Sequence, residues 1–128
     1  MKTRSAKNKG LRLQKWVVKR ISEITGCHCG KDESIESRPA SLSGVDVILH
    51  GIAKEKFPFS VECKWQESWS VPAWIDQAKS NQLAGTDWLL FLRRKRHKEV
   101  VVMDGEAFFD LYERYLNLLF GADHKTKT

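Results

Sequence analysis

The sequence predicts a single α/β domain: a central mixed β-sheet flanked by helices. Two observations carry this. Apolar residues recur at helical spacing in three stretches, about 11–25, about 72–83 and from 105 onward, and short apolar runs stand between them at 45–49, 57–64, 88–92 and 99–103. The resulting order is helix, strands, helix, two strands, helix, which suits a sheet covered by helices rather than a bundle or a sandwich. A chain of 128 residues suits one core.

Composition narrows the class. Hydrophobic residues make up 41% and charged residues 30%, a globular balance. No apolar run is long enough to span a bilayer and the N-terminus lacks an apolar signal core, so the expected setting is cytoplasmic, with no membrane partner. The three cysteines, Cys27, Cys29 and Cys63, are odd in number, which argues against a disulfide framework. Net charge is +6 and unevenly spread. Lys2, Arg4, Lys7, Lys9, Arg12, Lys15, Lys19 and Arg20 precede any acidic residue, and Arg93-Arg94-Lys95-Arg96-His97-Lys98 holds no acid. Clustered positive charge points to a polyanion, with nucleic acid the first expectation.

Residues 1–10 read as a flexible basic arm, 11–121 as the folded domain and 122–128 as a loose tail. The first helix runs from about Leu11 to Thr25, with Leu13, Trp16, Val17, Ile21 and Ile24 on its buried face, Arg12, Lys15 and Lys19 opposite, and Gly26 as the stop. Cys27-His28-Cys29 is too closely spaced for a structural zinc pair and is expected to be a turn. Ile35 belongs to a short edge strand, and the Pro, Ser and Gly of residues 38–44 mark a loop. Val45–Leu49 carries apolar residues on both faces and is expected to be a central strand. Ala53–Lys56 is expected as the loop that returns the chain into a second strand, Phe57–Lys64.

Ser70 and Pro72 open the middle helix, with Trp74, Ile75 and Ala78 at helical intervals. Trp88–Leu92 and Glu99–Met103 are strands joined by the basic turn. Asp104 opens the last helix, whose Phe108, Leu111, Tyr112, Tyr115, Leu118 and Leu119 form a stripe expected to be buried. Trp16 and Trp88 are expected in the core; Trp65, Trp69 and Trp74 suit either packing or stacking on bases.

The chemistry centres on Gly44–Lys64. Asp46 stands at the start of one strand and Glu62 and Lys64 near the end of the next. Alternation puts Glu62 and Lys64 on one face and Val61 and Cys63 on the other. Pairing of the strands would bring Asp46 to the polar pair, and two carboxylates with an ammonium make a divalent-metal site carrying a basic group.

These residues resemble the PD-(D/E)xK nuclease superfamily, and within it the small Holliday-junction resolvases of archaea and phages. Asp46, then Glu62-Cys63-Lys64, stand for the motif; Gln77 in Trp74-Ile75-Asp76-Gln77-Ala78 follows on a helix; the strand at Trp88–Leu92 fits the αβββαβ core of the restriction-endonuclease-like fold. Val45 stands where proline is usual, and Lys9-Gly10 is followed by Gln14 where such resolvases tend to place a glutamate, leaving Gln14, Glu23 or Glu36 to complete the site.

The resemblance implies a metal-dependent, structure-specific DNA endonuclease, with a Holliday-junction resolvase foremost. The alternatives are a nuclease of other replication intermediates or an inactive nucleic-acid-binding module on a nuclease fold. Mg²⁺, with Mn²⁺ as a substitute, would be held by Asp46, Glu62 and the Cys63 backbone carbonyl, and Lys64, Gln77 and Ser43 would act beside it, with Ser41 a second serine of the same loop. Lys9, Arg12, Lys15, Lys19, Arg38, Arg93, Arg94 and Arg96 would contact phosphates. Symmetric cleavage of a four-way junction implies a homodimer, and a phage-encoded enzyme would work in the host cell cytoplasm.

Overall fold

The computed structural model describes residues 4–39 and 42–126. The order is α1 (Arg4–Thr25), β1 (Ile35–Ser37), β2 (Val47–Leu49), α2 (Gly51–Lys56), β3 (Phe59–Trp65), α3 (Val71–Asn81), β4 (Asp87–Arg93), β5 (Val100–Met103) and α4 (Gly105–Phe120). Strands β3, β4 and β5 form a mixed sheet in that order, β3 parallel to β4 and β4 antiparallel to β5. The crossover between the parallel pair is α3. Strands β1 and β2 form a separate antiparallel pair, with Glu36 opposite Ile48.

Two apolar clusters sandwich the mixed sheet. Leu13, Val17 and Ile21 of α1 meet Val61 and Cys63 of β3 and Ile35 and Val47 of the small sheet. Trp74 and Ala78 of α3 meet Trp88, Leu90 and Leu92 of β4. The alternation along β3 therefore sends Val61 and Cys63 toward α1, leaving Ser60, Glu62 and Lys64 for the other face.

Several expectations are corrected. The helix expected from Leu11 starts at Arg4, so residues 4–10 of the expected arm are the first turns of α1. Its buried arc is centred on Leu13, Val17 and Ile21 and is completed by Gln14 and Val18. Trp16 lies off that arc and meets Phe91 edge-on at 6.4 Å, and Ile24 stays exposed in the last turn, where Thr25 takes the buried position. The loop expected at Ala53–Lys56 is α2. Ala, Lys and Glu are good helix formers, Ala53 is fully buried, and Lys56 Nζ donates to the Thr25 carbonyl at 2.9 Å, tying α2 to the end of α1.

Residues spent on α2 are lost to a hairpin, so β2 and β3 do not form the expected strand pair, and β2 is not central. Trp16 leaves the core; Trp65, Trp74 and Trp88 are buried, and Trp69 is part-exposed. The largest correction concerns α4. Only Ala107 of that helix is buried, and the stripe expected in the core is exposed along its whole length. The tail after Gly121 stays near the helix, with Lys125 Nζ 3.2 Å from Glu113 Oε2. No helix among the described residues is long and apolar enough to cross a membrane.

Candidate active site

β3 has β4 along one edge, and the backbone just before β2 docks on the other. Asp46 N–H donates to the Val61 carbonyl at 2.8 Å. Two residues on, at the same edge, Cys63 N–H donates to Asp46 Oδ2 at 2.7 Å. A strand residue directs its N–H and C=O to the same side, so the Cys63 carbonyl faces the edge where Asp46 sits. One backbone hydrogen bond and one from a β3 amide to the Asp46 carboxylate thus bring Asp46 beside β3 without a hairpin.

The loop that carries Asp46 is braced from three sides. Arg38 N–H donates to the Asp46 carbonyl at 2.8 Å, and the Arg38 guanidinium Nε donates to the Val45 carbonyl. Gly44, at φ +109°, lies under that guanidinium: a Cβ there would sit 3.3 Å from Arg38 Cζ. Gln14, buried on α1, donates through Nε2 to the Asp46 carbonyl at 3.3 Å and accepts from Ser37 Oγ at 3.3 Å.

Glu62 is 2% exposed. Its Oε1 accepts a 2.7 Å hydrogen bond from Asn81 Nδ2 on the last turn of α3. Burial first, and then the Asp46 charge, push its carboxyl up to about 7, against the pull of Asn81 and Lys64. Asp46 is also raised, again by burial first, while the Cys63 amide, Glu62, Lys64 and Gln14 pull it down. Two carboxylates crowded in a low-dielectric site repel when both are charged, and a cation between them relieves that cost. Lys64 attracts both carboxylates.

These groups line a cleft of about 390 Å³, whose walls include Lys7, Gly10 and Gln14 of α1, Ser43 and Gly44 of the loop, and Gln77 and Asn81 of α3. A second hollow of about 370 Å³ adjoins it across Cys63 and Lys64, lined by Lys9, Gly10, Trp65, Gln66 and Glu67. The Arg12 and Arg93 guanidiniums lie 5.2 and 4.3 Å from the Trp65 ring centroid. Trp65 therefore packs, and its ring is a support for cations rather than a free stacking platform. Arg93 also pairs with Glu99 at 3.1 Å and leads into the exposed turn of Arg94, Lys95 and Arg96. The Glu67 carboxylate accepts from Lys95 N–H at 2.9 Å, which holds that turn beside the second hollow.

The structure brings Asp46, Glu62, Cys63, Lys64, Gln77 and Ser43 to one cleft, with Gln77 and Ser43 exposed at its rim. Ser41 lies outside the described residues. Of the three candidates to complete the site, Gln14 reaches it. Glu23 pairs with Arg20 at 3.4 Å on the surface, and Glu36 accepts from Asp32 N–H and meets His50 Nε2 at 3.1 Å, so neither lines the cleft. Lys15 and Lys19 are exposed on α1 and line neither hollow; Arg38 is engaged in the loop it braces. Asn81 is the residue the sequence reading missed. It stands one helical turn beyond Gln77, and that spacing was the available signal. Among the described residues no group of three or more His, Cys, Asp or Glu side chains converges, and Cys27, Cys29 and Cys63 are free thiols.

No curated protein matches the chain, and no solved structure matches it. At the family level, residues 5–124 match the family described as phage putative PDDEXK endonuclease. The match spans the cleft and every element around it, from α1 to α4, and the chain belongs to this phage branch of the PD-(D/E)xK nucleases.

Proposed function

We propose that this chain is a metal-dependent, structure-specific DNA endonuclease, and in the first place a Holliday-junction resolvase acting in the host cell cytoplasm. The observation that carries the reading is the meeting of Asp46, Glu62 and Lys64 in one cleft bordered by the basic first turns of α1. Membership of a nuclease family supports the phosphodiester substrate.

The donor set fits a hard divalent cation. Asp46, Glu62 and the Cys63 carbonyl are all oxygen donors, and the two carboxyls, raised first by burial, would be held charged by a cation between them. Mg²⁺, with Mn²⁺ as a substitute, would be held by these three groups. When bound it supplies charge neutralisation at the phosphate and a water acidified for attack.

The remaining work falls to the chain. Asn81 keeps the Glu62 carboxylate turned into the cleft, and Gln14 and Arg38 fix the Asp46 backbone. Lys64 sits close enough to attract both carboxylates, so its ammonium is placed to orient the attacking water and to stabilise charge building on the phosphate. Gln77 and Ser43, at the rim, are placed to hydrogen-bond water or phosphate oxygens. Lys7 at the first hollow, Lys9 at the second and the Arg93–Arg96 turn beyond give the phosphates a cationic track on both sides of Lys64. Such contacts position DNA without reading bases, which suits selection by branch geometry. Two symmetric cuts need two sites, so the working unit is a homodimer.

The test is cleavage across substrates: a four-way junction, a flap, a fork and a linear duplex, each with Mg²⁺. The reading expects the junction to be cut fastest, with paired incisions. Preference for flaps or forks would reassign the chain to other replication intermediates. Binding of all four with no cleavage under any divalent ion would make it an inactive DNA-binding module.

A further inference from the structure

α4 carries a stripe patterned for burial that its own chain leaves open. Phe108, Leu111, Tyr112, Tyr115, Leu118 and Leu119 are between 47% and 87% exposed, and Phe109 and Phe120 flank them at 67% each. The helix makes no extended packing with another described element. The rings form a ladder: Phe108 stacks on Tyr112 at 6.2 Å, and Tyr112 lies 5.8 Å from Tyr115. A monomer rarely leaves so large an apolar patch in water.

We propose that this face is the homodimer interface, formed by α4 packing antiparallel against α4 of a second copy. Three observations select that occupant. The first is the pattern itself. From Phe108 to Leu119 the order is two apolar, one polar, two apolar, one polar, and beyond the midpoint between Glu113 and Arg114 it repeats in reverse. A palindrome of this kind is complementary to itself when the second helix runs the other way, as an isologous two-fold contact requires. In that register Tyr112 of one copy lies level with Tyr115 of the other.

The second observation is area. The exposed side chains offer on the order of 800 Å² of apolar surface per copy, which is what each partner of a stable complex contributes.

The third is charge. In a chain of net charge +6, α4 holds Glu106, Asp110 and Glu113 against a single Arg114. Those acids disfavour DNA phosphates, and the polar face has no lysine to draw it to an anionic lipid surface. The helix also follows directly on β5, the open edge of the mixed sheet, whose Val100 and Val101 are themselves exposed. An uncovered apolar edge is a liability unless something shields it.

The inference goes beyond the cleavage reading, which asks for two sites but does not say where the copies meet. It stands on the surface of α4 alone, so a dimer without nuclease activity would leave it intact.

The test is sedimentation of the full chain at micromolar concentration. The expected result is a species of twice 14.8 kDa. Tyr112→Glu with Tyr115→Glu should weaken the dimer by about 100-fold or more, with the helical circular dichroism retained, because both side chains are already exposed in one copy.

A wild-type chain that sediments at 14.8 kDa would overturn the proposal, and so would a dimer untouched by the paired tyrosine change. Co-flotation of a monomer with anionic vesicles, or protection of α4 only on adding junction DNA, would assign the face to lipid or DNA and overturn it equally.

Discussion

At the outer edge of β3 the chain buries charge, and along α4 it exposes apolar side chains. Glu62 is 2% exposed and Leu118 is 87% exposed. Both invert the usual sorting of residues, and the causes differ. Glu62 is kept inside by a hydrogen bond from Asn81 and by position, since its strand alternation leaves it no other face. Its burial makes sense when a cation completes the site. Leu118 is outside because no other described element packs extensively on α4, and its exposure makes sense in the proposed dimer, where a second copy covers it. In the proposed reading a cation completes the first region and a second copy covers the second, so both departures from ordinary burial fall where the molecule would meet something else.

The largest effect separating the two regions is expected at Lys64. Lys64→Ala should lower cleavage by about 10²–10³-fold while DNA binding and the oligomeric state persist, as single-turnover rates and sedimentation would show. Loss of binding together with cleavage would make Lys64 a phosphate anchor instead.

Next comes a contrast in stability. Leu90, fully buried against α3, should cost about 2–5 kcal/mol when cut to alanine. Leu118→Ala should cost under about 0.5 kcal/mol in protein diluted to a single copy and more at high concentration. Denaturant melts at two concentrations read both.

The buried carboxyl predicts a pH effect of similar size. Glu62 is raised from 4.5 to about 7 in the folded chain, so folding favours its protonated form. Its stabilising contribution is complete below pH 4.5 and is lost as pH rises through about 7, by up to roughly 3 kcal/mol; Asp46, raised as well, adds in the same direction. Metal-free protein should therefore melt higher at pH 5 than at pH 8. Glu62→Gln should flatten much of that slope, and Mg²⁺ should restore the wild type at pH 8. An unchanged slope in Glu62→Gln would mean other groups govern the pH response.

The smallest effect is expected at Asn81. Asn81→Ala should reduce cleavage by about tenfold, the scale of one charge-assisted hydrogen bond, and should raise the Mg²⁺ concentration needed for half-maximal rate. A rate loss with the Mg²⁺ requirement unchanged would place Asn81 outside the metal centre.

Much of the site was legible in the sequence because its signals are local. Asp46, Glu62 and Lys64 sit on short apolar runs whose alternation assigns faces, and Gln77 sits on a helix opened by Ser70 and Pro72. What failed was long-range. Ala53–Lys56 reads as a charged loop, yet Ala53 is drawn into the core and the segment winds into α2, so the Asp46 segment reaches β3 by docking rather than by a turn. Asn81 lies 19 residues from Glu62; its place one turn beyond Gln77 puts it on the same face of α3, but the strand it reaches is not legible from that spacing. The stripe on α4 has the spacing of a buried face, yet it is exposed along its length because no other described element packs extensively on that helix, and helical periodicity alone does not say what a face meets.

The central claim is that the Asp46–Glu62 edge of β3 is a metal-dependent cleavage centre. Its most direct test is cleavage of a labelled four-way junction by wild type and Asp46→Asn, each assayed with Mg²⁺, after EDTA, and after Mg²⁺ is restored. The account predicts cutting by wild type that stops with EDTA and returns with Mg²⁺, and junction binding without cutting by Asp46→Asn. Cleavage that survives EDTA, or that persists in Asp46→Asn, would contradict it.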